Sequence, residues 1–376
     1  MAAKTSKTIK SNIKKYILFQ ALYSTAIVLT TGSVIQAFFV YLGLEDSASL
    51  YASVIQIIQV ASMMLCSLWC DKIRSIIRAV GISVCVIGVI SASLVFVCFG
   101  VPADTFAAYI LIIAVSCISS VGLGIYNVLI YKLPYEIYDI NEFGKYSAFC
   151  GIASGVCGFL CTSLISVLSG KFGYISVITA FFIIALALFA ISAAVCFSLK
   201  KIPHSATSEK TKINLISYPV FTKLIPANIL RGIGNGIIGL MTVIGTKDGI
   251  LTEATAVHVA TVSVLGSISG FLLYLLASKF MSVKTLTLLT SVFAVLGFPL
   301  TVFAQTQSML YIMYYLSYAC VVALGNCIPV LVYGGVPQSI IGKYTAWRML
   351  LFTFGSAVPG FFMNALLDGI GAVAVM

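Results

Sequence analysis

Residues 105–131, TFAAYILIIAVSCISSVGLGIYNVLIY, form an uninterrupted apolar run without a charged side chain. About 20 mostly apolar residues suffice for a helix to cross the hydrocarbon layer of a membrane. The whole chain has this character, because 60% of its 376 residues are hydrophobic and only 9% are charged, against about 25% charged residues in a soluble domain. This composition excludes a soluble enzyme, a disordered protein and a disulfide-linked secreted domain. It predicts an all-α polytopic membrane protein.

Comparable apolar runs recur along the chain, and they predict eleven membrane-crossing helices, called spans 1 to 11 here. Their approximate ranges are 17–42, 49–70, 79–99, 105–131, 145–168, 175–198, 220–245, 256–278, 285–304, 309–332 and 345–367. A basic arm precedes span 1, but that run is too long for a signal peptide and no small-residue cleavage site follows it. We therefore expect an uncleaved first helix.

The basic residues predict the orientation. Most of the 22 Lys and Arg fall in the basic arm and in the loops that lie on the same side as that arm. Because cytoplasmic loops carry an excess of Lys and Arg, the N-terminus is predicted to be cytoplasmic. We expect a multi-pass protein of the inner or plasma membrane. Its net charge of +11 then faces the anionic inner leaflet, so no nucleic-acid partner is implied.

The two halves of the chain resemble each other at an offset of about 200 residues. VLIY at 128–131 recurs as VLVY at 330–333, GKYSA at 144–148 as GKYTA at 342–346, and LGLED at 42–46 as IGTKD at 244–248. Six spans fit in one period. The predicted domains are an N-terminal six-helix bundle (1–198), a cytoplasmic linker (199–219) and a C-terminal bundle (220–376).

This parallel repeat of six-helix bundles resembles the major facilitator superfamily over the whole chain. The loop between spans 2 and 3, SLWCDKIRSIIR at 67–78, keeps the acidic and basic positions of the superfamily's loop motif and lacks its two glycines. The resemblance implies a solute bound between the bundles near mid-membrane, and transport by alternating access. It also implies an inner gate, whose predicted residues are Asp71, Lys72, Arg74 and Arg348.

The repeat places a counterpart of span 6 near residues 375–398, where this chain ends at Met376. The twelfth helix of the fold is therefore expected to be missing. Two explanations remain open: a truncated chain, which we favour, and a family member with eleven spans.

Arg231 is the most informative polar residue, because it lies near the middle of span 7. An arginine at that depth costs about 2.5–3.5 kcal/mol even on insertion scales. Asn228 and Asn235 lie on the same helix face, at spacings of three and four residues. One hypothesis is that this face binds an anionic or carbonyl-bearing solute. The alternative is that Arg231 snorkels to the surface or bonds backbone carbonyls.

Four further residues complete the predicted substrate site. On span 1, the 202-residue offset maps Arg231 onto Leu29 and Asn235 onto Ser33, with Gln36 one turn beyond. On span 10, Tyr315 and Tyr318 belong to a tyrosine stripe and lie deep enough to offer hydroxyls to a solute. Plain helix packing is the favoured alternative for the tyrosines.

No pattern in the sequence indicates catalysis, a metal or a cofactor. The 11 cysteines lie in apolar runs, where cysteine is a small filler, and no GxxxxGK[ST] loop supports ATP-driven transport. We expect a monomeric secondary transporter of a small polar solute, such as a sugar, a sugar acid or another organic anion. The alternative function is a transport-inactive relic or a membrane sensor on the same fold.

Overall fold

The computed structural model describes residues 2–31, 34–35, 38, 47–100, 105–138, 142–202, 218–247, 253–302, 306–333, 335 and 340–370. Within these ranges, each of eleven long helices overlaps one of the eleven predicted spans and keeps its number. They are Ala2–Thr30, Ser47–Trp69, Ile76–Cys98, Thr105–Leu129, Phe143–Phe172, Tyr174–Phe197, Pro219–Lys247, Glu253–Ala277, Val283–Val302, Gln307–Tyr333 and Ile341–Ile370. A 3₁₀ turn, Cys70–Lys72, follows span 2, and a short helix, Leu133–Ile137, follows span 4.

Five of these helices are long and apolar enough, over their described residues, to cross a membrane by length and composition alone. They are 76–98, 106–129, 143–172, 174–197 and 307–333.

Local sequence features mark two of the helix boundaries. The side chain of Ser75 accepts a hydrogen bond from the backbone nitrogen of Arg78 at 3.4 Å and so caps the start of span 3. Gly173 lies in the turn between spans 5 and 6 with φ of 80°, a conformation in which any other residue would be strained.

Span 1 differs from its predicted range at both ends. The helix begins at Ala2 rather than near residue 17, so the basic arm is helical. No Gly or Pro interrupts residues 2–30, and a helix needs no apolar side chains to continue once it has formed. The helix ends at Thr30 rather than near residue 42, so the apolar run located this helix but predicted neither of its ends.

The chain divides into two compact units. Unit 1 comprises residues 1–140, 157–211 and 338–346, and unit 2 comprises 141–156, 212–337 and 347–376. In unit 1, span 3 packs against spans 4 and 6, span 2 against span 4, and span 1 against spans 3 and 6. In unit 2, span 10 packs against spans 7, 8 and 9, and span 7 also packs against span 9. The pairs 2–4, 3–4 and 1–3 therefore recur as 8–10, 9–10 and 7–9, as a parallel repeat requires.

A pair of glycine contacts shows the repeat at residue level. A Cβ added to Gly144, at the start of span 5, would meet Tyr274 of span 8 and Val330 of span 10. A Cβ added to Gly342, at the start of span 11, would meet Cys70, after span 2, and Lys132, after span 4. The two partners of Gly144, Tyr274 and Val330, lie about 200 residues after the two partners of Gly342, Cys70 and Lys132, respectively. The same close approach is therefore made once in each unit.

Asn12 joins three segments of unit 1 outside the predicted membrane region. Its amide nitrogen donates to the carbonyl oxygens of Ile137, at 3.0 Å, and of Lys200, at 2.8 Å. Its amide oxygen accepts from the backbone nitrogen of Lys200 at 3.1 Å. This side chain is only 1% exposed, so it ties the basic arm to the short helix and to the chain segment after span 6.

Candidate functional site: the Arg231 cleft

The site is built on a close crossing of spans 7 and 11 in unit 2. A Cβ added to Gly232 would collide with the backbone carbonyl of Phe352. A Cβ added to Gly355 would lie 2.5 Å from the carbonyl oxygen of Ile229 and 3.2 Å from the Cα of Gly232. Two glycines therefore let the helix backbones touch, as small residues commonly do in membrane helix pairs. This crossing fixes the position of the neighbouring residue, Arg231.

The guanidinium of Arg231 lies between spans 10 and 11. Its Cζ is 4.6 Å from the centroid of the Phe352 ring, a distance typical of a cation–π contact. A Cβ added to Gly325 of span 10 would lie 2.8 Å from a terminal nitrogen of Arg231 and 3.0 Å from Cζ. The charged group therefore rests against bare backbone on one side and an aromatic ring on the other. We call these three residues, Arg231, Gly325 and Phe352, the Arg231 cleft.

Asn228 lies one helical turn before Arg231 and is 2% exposed. Its amide nitrogen donates to the carbonyl oxygen of Leu224 at 2.8 Å, and no described group donates to its buried amide oxygen. Asn235, one turn after Arg231, is only partly buried. The three polar residues that the sequence placed on one face therefore lie on successive turns of span 7.

The two tyrosines predicted on span 10 lie against span 8. The hydroxyl of Tyr315 makes a short hydrogen bond with the hydroxyl of Ser269. A Cβ added to Gly266 would lie 3.2 Å from the Cβ of Tyr318, and the Tyr318 ring stacks on Tyr314 at 6.0 Å. These contacts fit the packing alternative better than a role in solute binding.

The predicted site residues on span 1 are not described by the structure, but the repeat counterpart of Arg231 is. Ser33 and Gln36 lie outside the described residues. Leu29, the repeat counterpart of Arg231, is fully buried in an apolar cluster with Val177, Phe181 and Ala185 of span 6. The position that carries charge in span 7 is therefore an apolar packing position in span 1.

The structure describes the side chains of three of the four predicted gate residues. Lys72 and Arg74 are exposed, whereas Arg348, near the start of span 11, is 2% exposed. The side chain of Asp71 lies outside the described residues. The gate stays a prediction.

A polar cluster in unit 1 was not among the predicted site residues. Gln20 of span 1 donates to the hydroxyl of Tyr126 of span 4 at 3.1 Å, and the Tyr126 ring stacks on Tyr23 at 4.2 Å. The sequence signal was there, since all three are polar residues inside apolar runs. Because the amide of Gln20 and the phenol of Tyr126 already pair with each other, this cluster contributes mainly to packing between spans 1 and 4.

Gly325 and Phe352 were also missed. Gly325 is the only glycine in span 10, which was the available signal, but nothing in the sequence links it to Arg231. Among the described residues, no three His, Cys, Asp or Glu side chains come together as metal ligands.

The chain was compared with known proteins. The family model of the Major Facilitator Superfamily matches residues 9–359, and no curated protein sequence matches. Among solved structures, an outward-facing bacterial homologue of the iron transporter ferroportin is 15% identical, with a TM-score of 0.71 and 96% of each chain covered.

Two sugar symporters have similar folds. The E. coli fucose:proton symporter FucP is 14% identical, with a TM-score of 0.69 over 98% of this chain and 95% of that chain. The proton:xylose symporter XylE is 15% identical, with a TM-score of 0.71 over 99% of this chain and 93% of that chain. At this identity the structures establish a common fold and nothing about the solute. The family model, which covers nearly the whole chain, shows that the chain belongs to the Major Facilitator Superfamily.

Proposed function

We propose that the chain is a secondary transporter that moves a small organic anion, such as a sugar acid, by alternating access. The observation that carries this proposal is the Arg231 cleft, where an arginine in the middle of a span is held between Gly325 and Phe352. Family membership supports transport in general, and the arginine supports an anionic solute in particular.

The chemistry of the guanidinium favours an anion. Arginine stays protonated in proteins and presents a planar fork of donors that matches a carboxylate or phosphate through two parallel hydrogen bonds. Residues 219–247 and 254–367, which include most of spans 7 to 11, contain no Asp or Glu. The second half of the chain therefore supplies no carboxylate at membrane depth, and an anionic solute supplies one when it binds.

The way in which packing holds the guanidinium of Arg231 also favours a role in binding. An arginine that snorkels extends its long side chain toward the membrane surface. Here the guanidinium is held over the ring of Phe352 and against the backbone of span 10. A cation held in one place by packing is preorganised, so less conformational entropy is lost when a ligand binds.

The remaining features of the proposal follow the charge pattern and the family. The N-terminus is cytoplasmic, the protein acts as a monomer in the inner or plasma membrane, and Asp71, Lys72, Arg74 and Arg348 form the gate at the cytoplasmic side. Neither ATP nor a cofactor takes part. In the sequence no Asp or Glu falls inside a predicted apolar run, so exchange or facilitated diffusion fits the residues better than proton coupling.

Proteoliposome uptake tests the proposal. Purified protein is first screened by thermal shift against D-glucuronate, D-gluconate, L-lactate, succinate, D-glucose and D-xylose, because a ligand of the folded state raises its melting temperature. Uptake of the radiolabelled hit is then measured for wild type, Arg231→Ala, Arg231→Lys and the exposed control Arg78→Ala.

We expect a carboxylate to be the hit, with no uptake by Arg231→Ala, reduced uptake by Arg231→Lys and normal uptake by Arg78→Ala. Stabilisation by neutral sugars alone would contradict an anionic solute. Absence of any shift and any uptake would favour the alternative, a transport-inactive relic or sensor.

A further inference from the structure

Asn228 presents a hydrogen-bond acceptor that no residue in the described part of the chain uses. The side chain is 2% exposed, and its amide oxygen is buried with no donor among the described residues. Buried polar side-chain atoms in native structures nearly always have a partner. An unpartnered acceptor next to a proposed binding group is therefore a candidate contact for the solute.

The orientation of this amide is determined by its other bond. The nitrogen donates to the carbonyl oxygen of Leu224 at 2.8 Å. If the amide were rotated by half a turn, its oxygen would face that carbonyl oxygen, which is a contact between two acceptors. The bond therefore directs an acceptor, and not a donor, to the unpartnered side.

Asn228 and Arg231 are three residues apart on span 7. Side chains at this spacing are neighbours on one helix face, with Cβ atoms about 5–6 Å apart. Arg231 offers only donors, and Asn228 offers an acceptor. A solute that satisfies both carries an anionic acceptor and a neutral donor within a few ångströms of each other.

From this pairing we infer that the transported anion is a hydroxycarboxylate, in the size range from a 2-hydroxy acid to a sugar acid, with its carboxylate on Arg231 and a hydroxyl donating to the amide oxygen of Asn228. This inference rests on the proposed function and narrows it. A simple carboxylate lacks the hydroxyl donor, and a neutral sugar lacks the anion.

Amino acids do not fit the same pair of residues. Their ammonium group would supply a donor, but it would also bring a positive charge close to Arg231. Since residues 219–247 and 254–367 contain no Asp or Glu, this half of the chain has no membrane-embedded acid to balance that charge. A hydroxyl supplies the same hydrogen bond without the repulsion.

The test uses matched ligands on the purified full chain. Each set contains a hydroxy acid, its deoxy analogue and a neutral analogue: lactate, propionate and 1,2-propanediol; gluconate, hexanoate and glucitol; galacturonate, cyclohexanecarboxylate and galactose. Affinities are measured by calorimetry for wild type, for Asn228→Leu, which keeps a similar volume, and for Thr290→Val. Thr290 is a buried control whose hydroxyl already bonds the carbonyl of Leu286 at 2.7 Å.

In at least one set, we expect wild type to bind the hydroxy acid about tenfold more tightly than the deoxy analogue, which is the factor that one hydrogen bond contributes. Asn228→Leu should reduce that ratio to about one and leave the affinity for the deoxy analogue unchanged, while Thr290→Val should keep the ratio.

Two results would overturn the inference, and they are distinguishable. Carboxylates that bind through Arg231 without preference for the hydroxy acid in wild type would refute the hydroxyl contact and leave the proposed function intact. That comparison needs no variant, so poor folding of Asn228→Leu does not affect it. If no carboxylate in the panel binds at all, the proposed function fails and the inference fails with it.

Discussion

Span 1 and span 7 occupy equivalent places in the two halves, yet they differ at one decisive position. Leu29 of span 1 is fully buried among Val177, Phe181 and Ala185 of span 6. Arg231, 202 residues later, lies against Phe352 and Gly325 instead. The repeat thus preserves the backbone arrangement while the side-chain chemistry has diverged.

The polar side chains show the same division. In unit 1 the polar side chains that the structure pairs hold segments of that unit together, as Asn12 does with Ile137 and Lys200. In unit 2, the Arg231 face carries a cation and, on Asn228, an acceptor that no described group uses. On our proposal, unit 1 contributes scaffold in these regions and span 7 contributes the groups that bind the solute.

Arg231→Leu gives span 7 the leucine that span 1 has at the equivalent position, Leu29, and should have the largest effect on transport. We expect uptake of the carboxylate hit to fall more than 100-fold, because loss of a charge-assisted bidentate contact contributes about 3 kcal/mol or more. The protein should still fold, since leucine is apolar and of suitable size for a membrane helix. Proteoliposome uptake and the melting temperature measure both effects, and retained uptake would show that the arginine is structural.

Asn12→Leu should produce the opposite pattern in unit 1. It leaves one buried and two partly buried backbone groups without the amide, so we expect a loss of about 1–3 kcal/mol in unfolding free energy with unchanged affinity for the carboxylate. Thermal unfolding and calorimetry test this, with the exposed Lys10→Ala on the same helix as control. A reduced affinity at full stability would break the distinction between scaffold and site.

Gly325→Ala should have an intermediate effect. The added methyl group would displace the guanidinium of Arg231, which is 2.8 Å from the position of its Cβ. Helix propensity favours alanine over glycine by about 1 kcal/mol, so stability should hold while affinity for the carboxylate falls about tenfold. The matched control is Gly158→Ala, whose Cβ would make only ordinary contacts, at 3.7 Å from Val28; equal losses in both variants would argue against the cleft.

Phe352→Leu should have the smallest effect. It removes the ring next to the guanidinium but keeps an apolar side chain, and a cation–π contact of this partly exposed kind contributes about 1 kcal/mol or less. The affinity for the carboxylate should therefore fall about two- to fivefold by calorimetry. A loss as large as that of Arg231→Leu would mean that Phe352 contacts the solute directly.

The sequence was sufficient for the fold because the relevant signals are local. A membrane helix is recognised by the length of its apolar run, and every predicted span overlaps a helix. The repeat was visible because Gly144 and Gly342 each permit a close helix approach that a side chain would block. Such constraints leave motifs at fixed spacing.

The site was predictable only in part. A lone arginine at mid-span is costly enough to be noticed without a structure, and its helical spacing identified Asn228. Its partners on spans 10 and 11 were not predictable, because tertiary packing brings Gly325 and Phe352 to it from nearly 100 residues or more away in sequence. The tyrosine stripe illustrates the reverse problem, since Tyr315 pairs with Ser269 and periodicity alone does not distinguish a packed face from a solute-facing one.

The most direct test of the central claim is a structure of the protein with the carboxylate hit, carrying an iodine or bromine atom so that its density is unambiguous. We expect the carboxylate oxygens to lie about 2.7–2.9 Å from the guanidinium nitrogens of Arg231, next to Gly325 and Phe352. A carboxylate bound in unit 1 beside Gln20 and Tyr126, with Arg231 not in contact with it, would contradict the account.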